Sequence, residues 1–327
     1  MPFKVIRNDI TKVKAEIIVN SANPLPRIGS GTDSAIYESA GAEQLLQERL
    51  KIGNIDPGNA EYTSAYALQA KYIIHTVGPI WIDGKHNELE TLHSCYRNSL
   101  AIADKLSAKS IAFPLISTGT YGFPKDKALN IALEEIGKFL LTHETEIILV
   151  VFDKSSFEIS ANLIGSIDNY IEENTVDLIT QNEYHSRRRP MVMESADIIS
   201  EIRPSVDLDT ILNDTGETFQ QKLFKLIDER KLDDVSVYKK ANIDRKVFSS
   251  IRCKPNYKPK KKTAVAFAVA LELDYNEMTD LLSRAEIALS PSSKFDLIIS
   301  YCVKNKIYDI LEINAILFQY GQPILSE

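Results

Sequence analysis

Two short glycine-bearing loops constrain this chain more than any other feature, because each follows a β-branched apolar run and opens a helical pattern. The first, Ile28-Gly29-Ser30-Gly31-Thr32-Asp33, comes after Ile17-Ile18-Val19-Asn20-Ser21-Ala22-Asn23. The second, Ile116-Ser117-Thr118-Gly119-Thr120-Tyr121-Gly122-Phe123, lies roughly ninety residues further on. A loop of this kind sits at the carboxyl end of a strand with its backbone N–H groups free. Those groups and the helix dipole together favour an anion. Two such loops on one sheet point to a diphosphate gripped from both sides.

Residues 1 to about 175 alternate between the two periodicities. Strands are expected at Phe3–Arg7, Glu16–Asn20, Asn59–Ala67, Tyr72–Thr76, Ser110–Leu115 and Glu146–Phe152, and helices at Asp33–Leu50, Glu88–Leu106, Lys125–Leu141 and Ser155–Glu173. Within the third helix, Ala128, Leu129, Ala132, Leu133, Ile136 and Leu140 recur at helical spacing. Such alternation implies an α/β fold, a parallel or mixed sheet between helices, with ligands beyond the carboxyl ends of its strands. The pattern breaks near Thr180, where His185-Ser186-Arg187-Arg188-Arg189-Pro190, Pro204 and Gly216 read as a linker with one short helix at Glu194–Ile202. Beyond Gly216 the chain reads as helical throughout: Phe219–Glu229, Val235–Ala241, Asp244–Cys253, Thr263–Leu271, Tyr275–Arg284, Ser293–Asn305 and Asp309–Phe318. The expected division is therefore 1–178, a linker at 179–215, and a smaller all-α domain at 216–327.

At 44% hydrophobic and 25% charged residues, the composition is that of a globular chain and excludes wholesale disorder. No window approaches eighteen uncharged apolar residues, and the N-terminus lacks a charged-then-apolar signal pattern. Cys95, Cys253 and Cys302 are widely spaced and odd in number. That argues against a disulfide framework and a cysteine-rich metal site, and for a reducing cytoplasm. No metal or cofactor is expected; His93 and Cys95 do not make a metal site by spacing. Charge is uneven: residues 1–180 carry 16 Lys and Arg against 23 Asp and Glu, while residues 216–285 carry 15 against 10. An acidic domain that grips phosphate must do so through local N–H geometry, since its net field repels the ligand.

Neither loop contains the Gly-Lys-Ser/Thr of a Walker A motif, and Ser34 occupies the third glycine position of a dinucleotide fingerprint. A different set fits. Asn8-Asp9-Ile10-Thr11, Ile18-Val19-Asn20-Ser21-Ala22-Asn23, Gly29-Ser30-Gly31-Thr32-Asp33-Ser34-Ala35-Ile36, Tyr72-Ile73-Ile74-His75-Thr76-Val77-Gly78-Pro79 and Ala112-Phe113-Pro114-Leu115-Ile116-Ser117-Thr118-Gly119-Thr120-Tyr121-Gly122-Phe123-Pro124 closely resemble the macrodomain family, in order and over residues 1–175. The resemblance implies a three-layer α/β/α domain with a mixed sheet that binds ADP-ribose. Many members also hydrolyse ADP-ribose from protein side chains or act on ADP-ribose esters.

Carried over by position, the resemblance gives Asp9, beside Ile10, the adenine amino group, and sets Phe152 or Phe157 against the adenine ring. Phe152 reads equally as a core residue ending its strand. The N–H groups of Gly29, Ser30, Gly31 and Thr32 and those of Thr118 to Tyr121 would hold the phosphates, with Ser117, Gly122 and Phe123 completing the second loop. Asn23 would meet the distal ribose, where an amide both donates and accepts. Asp33 falls where MacroD-type hydrolases carry an acidic residue, able to orient water and stabilise charge at the anomeric carbon. It also reads as an N-cap of the helix starting near Ser34. The catalytic pair is thus expected to be Asn23 and Asp33. Ile28 and Ser30 stand where those hydrolases are nearly all glycine, and Tyr37 where a histidine is often found. Side chains at 28 and 30 are expected to narrow the approach to the distal ribose. His75 reads as a buried structural histidine more readily than as a general base.

The rear helices resemble the phage-repressor type of helix-turn-helix domain, with a break at Asn242-Ile243. On that reading Arg245, Lys246, Ser249, Ser250 and Arg252 face nucleic acid, followed by Lys254, Lys258, Lys260, Lys261 and Lys262, and the domain works as a homodimer. The other reading is a solvated basic face on a protein-interaction domain.

Overall fold

The computed structural model describes residues 3–152, 159–187, 217–254 and 257–325. Six strands form one sheet in the order β1-β6-β5-β2-β4-β3. They are β1 (Phe3–Arg7), β2 (Ile17–Ser21), β3 (Ala60–Ser64), β4 (Tyr72–Thr76), β5 (Ser110–Pro114) and β6 (Glu146–Val151). Neighbouring strands run parallel except β3, which pairs antiparallel with β4 at one edge. The expected strand at Asn59–Ala67 is shorter because Tyr66 turns the chain with φ 48°.

Alternation along the central strands divides the core into two faces. Ile18, Ile73, Ala112, Ile148 and Val150 pack with Ile36, Tyr37, Ala40 and Leu45 of α1 (Thr32–Ala40) and α2 (Ala42–Ile52). Ile17, Val19, Ile74, Ile111, Phe113, Ile147 and Leu149 face the other way, onto α3 (Glu88–Lys105) and α4 (Lys125–Leu140). The strands are covered on both faces, so they read as near-continuous apolar runs. The single helix expected at Asp33–Leu50 is two helices. Gly41, at φ 100°, ends one and begins the next, a conformation that glycine adopts without steric cost.

Helix α5 spans Ala161–Arg187, so residues 179–187 of the expected linker are helical. The rest of that linker, the helix expected at Glu194–Ile202, and Phe157 lie outside the described residues. The rear part is helical: α6 (Phe219–Glu229), α7 (Asp234–Lys240), α8 (Arg245–Cys253), α9 (Lys261–Ala270), α10 (Tyr275–Ser283), α11 (Lys294–Lys304) and α12 (Ile310–Gln319). Its apolar residues join the same buried cluster as the α3/α4 face of the sheet. The junction is built at the edge strand β1, where an unpaired backbone would otherwise be exposed. The Phe3 N–H donates to Asn242 Oδ1 at 3.1 Å, and Asn242 Nδ2 donates to the Phe3 carbonyl at 3.1 Å, both buried. One side-chain amide thus replaces a neighbouring strand. Asn242 does this from the turn between α7 and α8, at φ 53°, a region where asparagine is enriched. Nearby, Tyr238 Oη donates to Glu144 and Lys239 Nζ to the Leu141 carbonyl.

The three cysteines are free; Cys95 and Cys302 are buried, and Cys253 is exposed. Among the described residues no helix is long and apolar enough to cross a membrane.

Candidate functional site

A cleft of about 500 Å³ opens beyond the carboxyl ends of β2, β5 and β6. Its position follows from the ladder. Strands β2 and β4 pair along all five residues, whereas β2 and β5 pair only at Ile17–Ile111 and Ile18–Ala112. The two strands that carry the glycine loops therefore part before their ends, and the loops flank the gap. Ser30 Oγ and Thr120 Oγ1 meet across it at 3.1 Å.

The first loop runs into α1, whose N-cap is Gly31 with no side-chain cap. Asp33 is therefore not the N-cap that the sequence also allowed; it lies in the first turn, 3% exposed. Its Oδ2 accepts the Gly29 N–H at 2.5 Å and its Oδ1 accepts Asn20 Nδ2 at 2.6 Å. The Gly29 N–H is thus consumed inside the protein and is not open to a ligand. Ser30, Gly31 and Thr32 line the cleft with N–H groups that find no acceptor among the described residues. A side chain at 29 would displace its neighbours, since an added Cβ would lie 2.5 Å from Asn23 Nδ2 and 3.0 Å from Asp33 Oδ2.

In the second loop Ser117, Thr118, Gly119, Thr120 and Tyr121 line the cleft. Gly122 and Phe123 do not. The Gly122 N–H donates to the Gly119 carbonyl and the Phe123 N–H to the Ser117 carbonyl, which close the turn. The Phe123 ring lies in the core, edge-on to Trp81 at 4.8 Å. Both residues shape the loop from outside the cleft lining. Ser117 is held at φ 65° with a buried Oγ that has no hydrogen-bond partner among the described residues. Gly78 makes room for it, since a Cβ there would come within 2.0 Å of that oxygen.

At the far end, Asp9 Oδ1 caps a short 3-10 turn (Ile10–Lys12) by accepting the Thr11 N–H and hydroxyl. Asn8, Asp9 and Ile10 line the cleft there. Phe152 is 73% exposed and lines the same end, so it is not the core residue that its strand position allowed. Among the departures in the first loop, Ser30 lines the cleft, but Ile28 does not; it faces solvent. Tyr37 is buried behind the loop, 6.3 Å from the His75 ring. Only Ser30 therefore narrows the opening.

Sequence reasoning missed two buried residues behind Asn23 and Asp33. Arg49 of α2, 1% exposed, donates to the carbonyls of Asn23 and Pro24 at 3.3 and 3.0 Å and to that of Gly53. It pins the segment that presents Asn23 to the cleft. Asn20 of β2 bridges Asp33 and His75, its Nδ2 lying 3.2 Å from His75 Nδ1. Their signal is a polar residue inside an apolar strand, and a charged residue on the buried face of a helix. Burial pushes the Asp33 carboxyl above its ordinary value, against the pull of Asn20, Gly29 and Arg49. Burial drives His75 down to about 3, so the ring is neutral, as its structural reading requires.

Two carboxylate–histidine clusters stand apart from the cleft. Glu135 holds His93 at 2.8 Å and Lys138 at 3.2 Å, and Glu88 accepts four loop N–H groups from Ile82, Asp83, Gly84 and His86. Both are accounted for by their internal bonds.

The residues named for nucleic acid divide. Arg245, Lys246 and Ser249 are exposed along α8, as are Lys254 and Lys260. Arg252 pairs with Asp234 at 2.5 Å and lies over the Phe224 ring, while Lys258 and Lys261 pair with Glu286 and the buried Asp296.

Residues 19–132 match a family model described as Macro domain. A Macro domain-containing protein of Methanosarcina mazei is 44% identical, over 47% of this chain and 83% of that protein. A protein of Cronobacter sakazakii named O-acetyl-ADP-ribose deacetylase is 40% identical, over 51% of this chain and 95% of its own length. A solved macrodomain of Oceanobacillus iheyensis with ADP aligns at 38% identity and a TM-score of 0.45, covering 47% of this chain and 85% of that one.

Proposed function

This chain belongs to the Macro domain family through its α/β half, and from that premise we propose that its cleft binds ADP-ribose and releases it from a modified macromolecule or an ADP-ribose ester. The observation that carries the proposal is the pair of loops across one cleft. Ser30, Gly31 and Thr32, whose N–H groups find no acceptor among the described residues, line it together with Thr118, Gly119 and Thr120 of the second loop, with Asp9 at one end and Asn23 and Asp33 at the other. The deacetylase names of relatives at about 40% identity support the reaction class.

In this reading the diphosphate lies on the two rows of N–H groups, which act within hydrogen-bond range despite the acidic surroundings. The adenine stacks on Phe152 with its amino group toward Asp9. The distal ribose meets the Asn23 amide, which no described residue engages. Asp33 holds the geometry through Gly29, and its remaining lone pairs orient water toward the bond to be broken. Because both Asp33 oxygens already serve the protein, a second reading, a non-catalytic ADP-ribose sensor, has a specific observation in its favour. Turnover of an ADP-ribosylated protein and an ester by the full chain, beside Asp33→Ala, separates the two. Hydrolysis lost in the variant supports the enzyme. Equal turnover in both forms removes Asp33 from the mechanism, and no turnover in either supports the sensor.

A nucleic-acid role for the helical half rests on the exposed Arg245, Lys246 and Ser249. Against it stand the internal pairs of Arg252, Lys258 and Lys261, and Asp233 and Asp244 at the N-termini of α7 and α8. The balance favours a helical half that works through protein contacts.

A further inference from the structure

Behind the first loop a chain of buried polar groups crosses the sheet, from Thr63 on β3 through His75 on β4 and Asn20 on β2 to Asp33 on α1. Thr63 Oγ1 lies 2.9 Å from His75 Nε2, and His75 Nδ1 lies 3.2 Å from Asn20 Nδ2. That same nitrogen donates to Asp33 Oδ1, and Asp33 Oδ2 takes the Gly29 N–H. All four side chains are buried, and Asn20 and His75 are direct register partners on adjacent parallel strands.

The donor inventory makes the order of the chain one-directional. The Asp33 carboxylate, whose Oδ2 accepts from Gly29 and whose Oδ1 accepts from Asn20, needs donors, and a neutral imidazole offers one lone pair and one N–H. Only a group with two hydrogens on one atom satisfies a carboxylate and an imidazole lone pair together, and the asparagine amide is such a group. His75 then carries its proton on Nε2 and donates to Thr63. The cost is visible: Asn20 Oδ1 is buried with no hydrogen-bond partner among the described residues. Leaving such an acceptor unmatched is unfavourable, so the fold gives up stability to keep the amide in this orientation.

We infer that Asn20 and His75 are positioning residues for the cleft: they fix the Asp33 carboxylate, and through its bond to Gly29 they set the first loop in its ligand-ready shape. The inference rests on the ADP-ribose reading of the cleft. The remaining charged and titratable groups around Asp33 are Arg49 from α2, Tyr37 on its own helix and Tyr121 from the second loop.

The test uses the full chain with ADP-ribose in calorimetry and the Gly29 amide proton in NMR. His75→Gln offers an oxygen to Asn20 and an amide to Thr63, so it should keep affinity within about twofold, whereas His75→Leu and Asn20→Ala should lose about tenfold or more. The Gly29 amide resonance should titrate with Asp33 in the natural chain. In Asn20→Asp, where two adjacent carboxylates share a proton, it should titrate at least about one pH unit higher. Equal affinity in all variants, or a Gly29 titration unmoved by Asn20→Asp, overturns the inference. Should His75→Leu fail to fold, the Asn20→Asp titration still decides. Absence of ADP-ribose binding by the natural chain, with the Gly29 shift present, overturns the ligand reading and leaves the positioning intact.

Discussion

The helices of the two halves begin in opposite ways. In the rear half, Thr218, Asp233, Asp244, Asp274, Ser293 and Asp309 each cap a helix with a side-chain oxygen, and only α9 starts without one. In the front half α1, α2, α3 and α4 begin at Gly31, Gly41, Asn87 and Pro124 with no side-chain cap. A cap satisfies the orphan N–H groups that would otherwise bind an anion, and a carboxylate cap adds repulsion. Stability and phosphate binding therefore compete for the same donors. Among the described helix starts, only that of α1 combines an open N-terminus with a position on the cleft.

The comparison breaks most sharply at Gly119. A Cβ there meets nothing within 4 Å, so Gly119→Glu keeps the fold while bringing bulk and negative charge to the second loop. ADP-ribose affinity should fall by more than about a hundredfold in calorimetry with the melting temperature nearly unchanged. Unchanged affinity would falsify the site assignment.

Next in size is an effect of acid. His75 titrates in the unfolded chain at about 6.5 and in the fold at about 3. Its contribution to stability is full above the unfolded value and is lost as pH falls toward the folded one. Urea midpoints should drop steadily across that window, and His75→Gln should flatten the slope. Asp33 has the opposite sign: its raised value makes the folded state hold the proton more tightly, so its penalty grows as pH rises through the folded value. A midpoint independent of pH below 6 in the natural chain would refute the buried neutral ring.

Asn242→Ala should cost about 2–3 kcal/mol, since it strands a buried N–H and carbonyl on β1. Chemical denaturation measures this; a loss below half a kilocalorie would mean that the edge re-pairs without the amide. Asp274→Ala removes the capping box of α10 and should cost about 1 kcal/mol. ADP-ribose affinity should not change, and any shift there would show that the rear caps also serve the cleft. The smallest expected effect is on nucleic acid. Mixed-sequence duplex DNA should bind the full chain weakly and lose that binding by 200 mM salt, and tight binding at that salt would restore the helix-turn-helix reading.

Most strands and helices were legible because their periodicities are clean. Phe3–Arg7, Tyr72–Thr76 and Phe219–Glu229 begin and end where the pattern predicts. The loops were legible because glycine and β-branched residues mark both ends of a strand-to-helix turn. The break at Gly41 was not, since apolar spacing continues across it and only the backbone reverses. At the site, Asn23 and Asp33 carried a motif, but the partners of Asp33 did not. Whether its oxygens cap a helix, meet a ligand or hold Gly29 depends on where Asn20 lies, and that is set by strand pairing. The surroundings of Phe123 were illegible for a similar reason. Its position in the loop is local, whereas the burial of its ring depends on Trp81 from another segment.

The clamp on β1 has a consequence for how the chain acquires its structure. One neighbour of β1 is β6, and its other side is closed by an amide 239 residues away. β1 thus gains its second partner only after the 239 residues that separate Phe3 from Asn242 have been made. Contacts of such separation carry a large loop-closure cost and slow folding. Until Asn242 arrives, the outer edge of β1 stays open, so the α/β half reaches its finished form only when the helices behind it have been made.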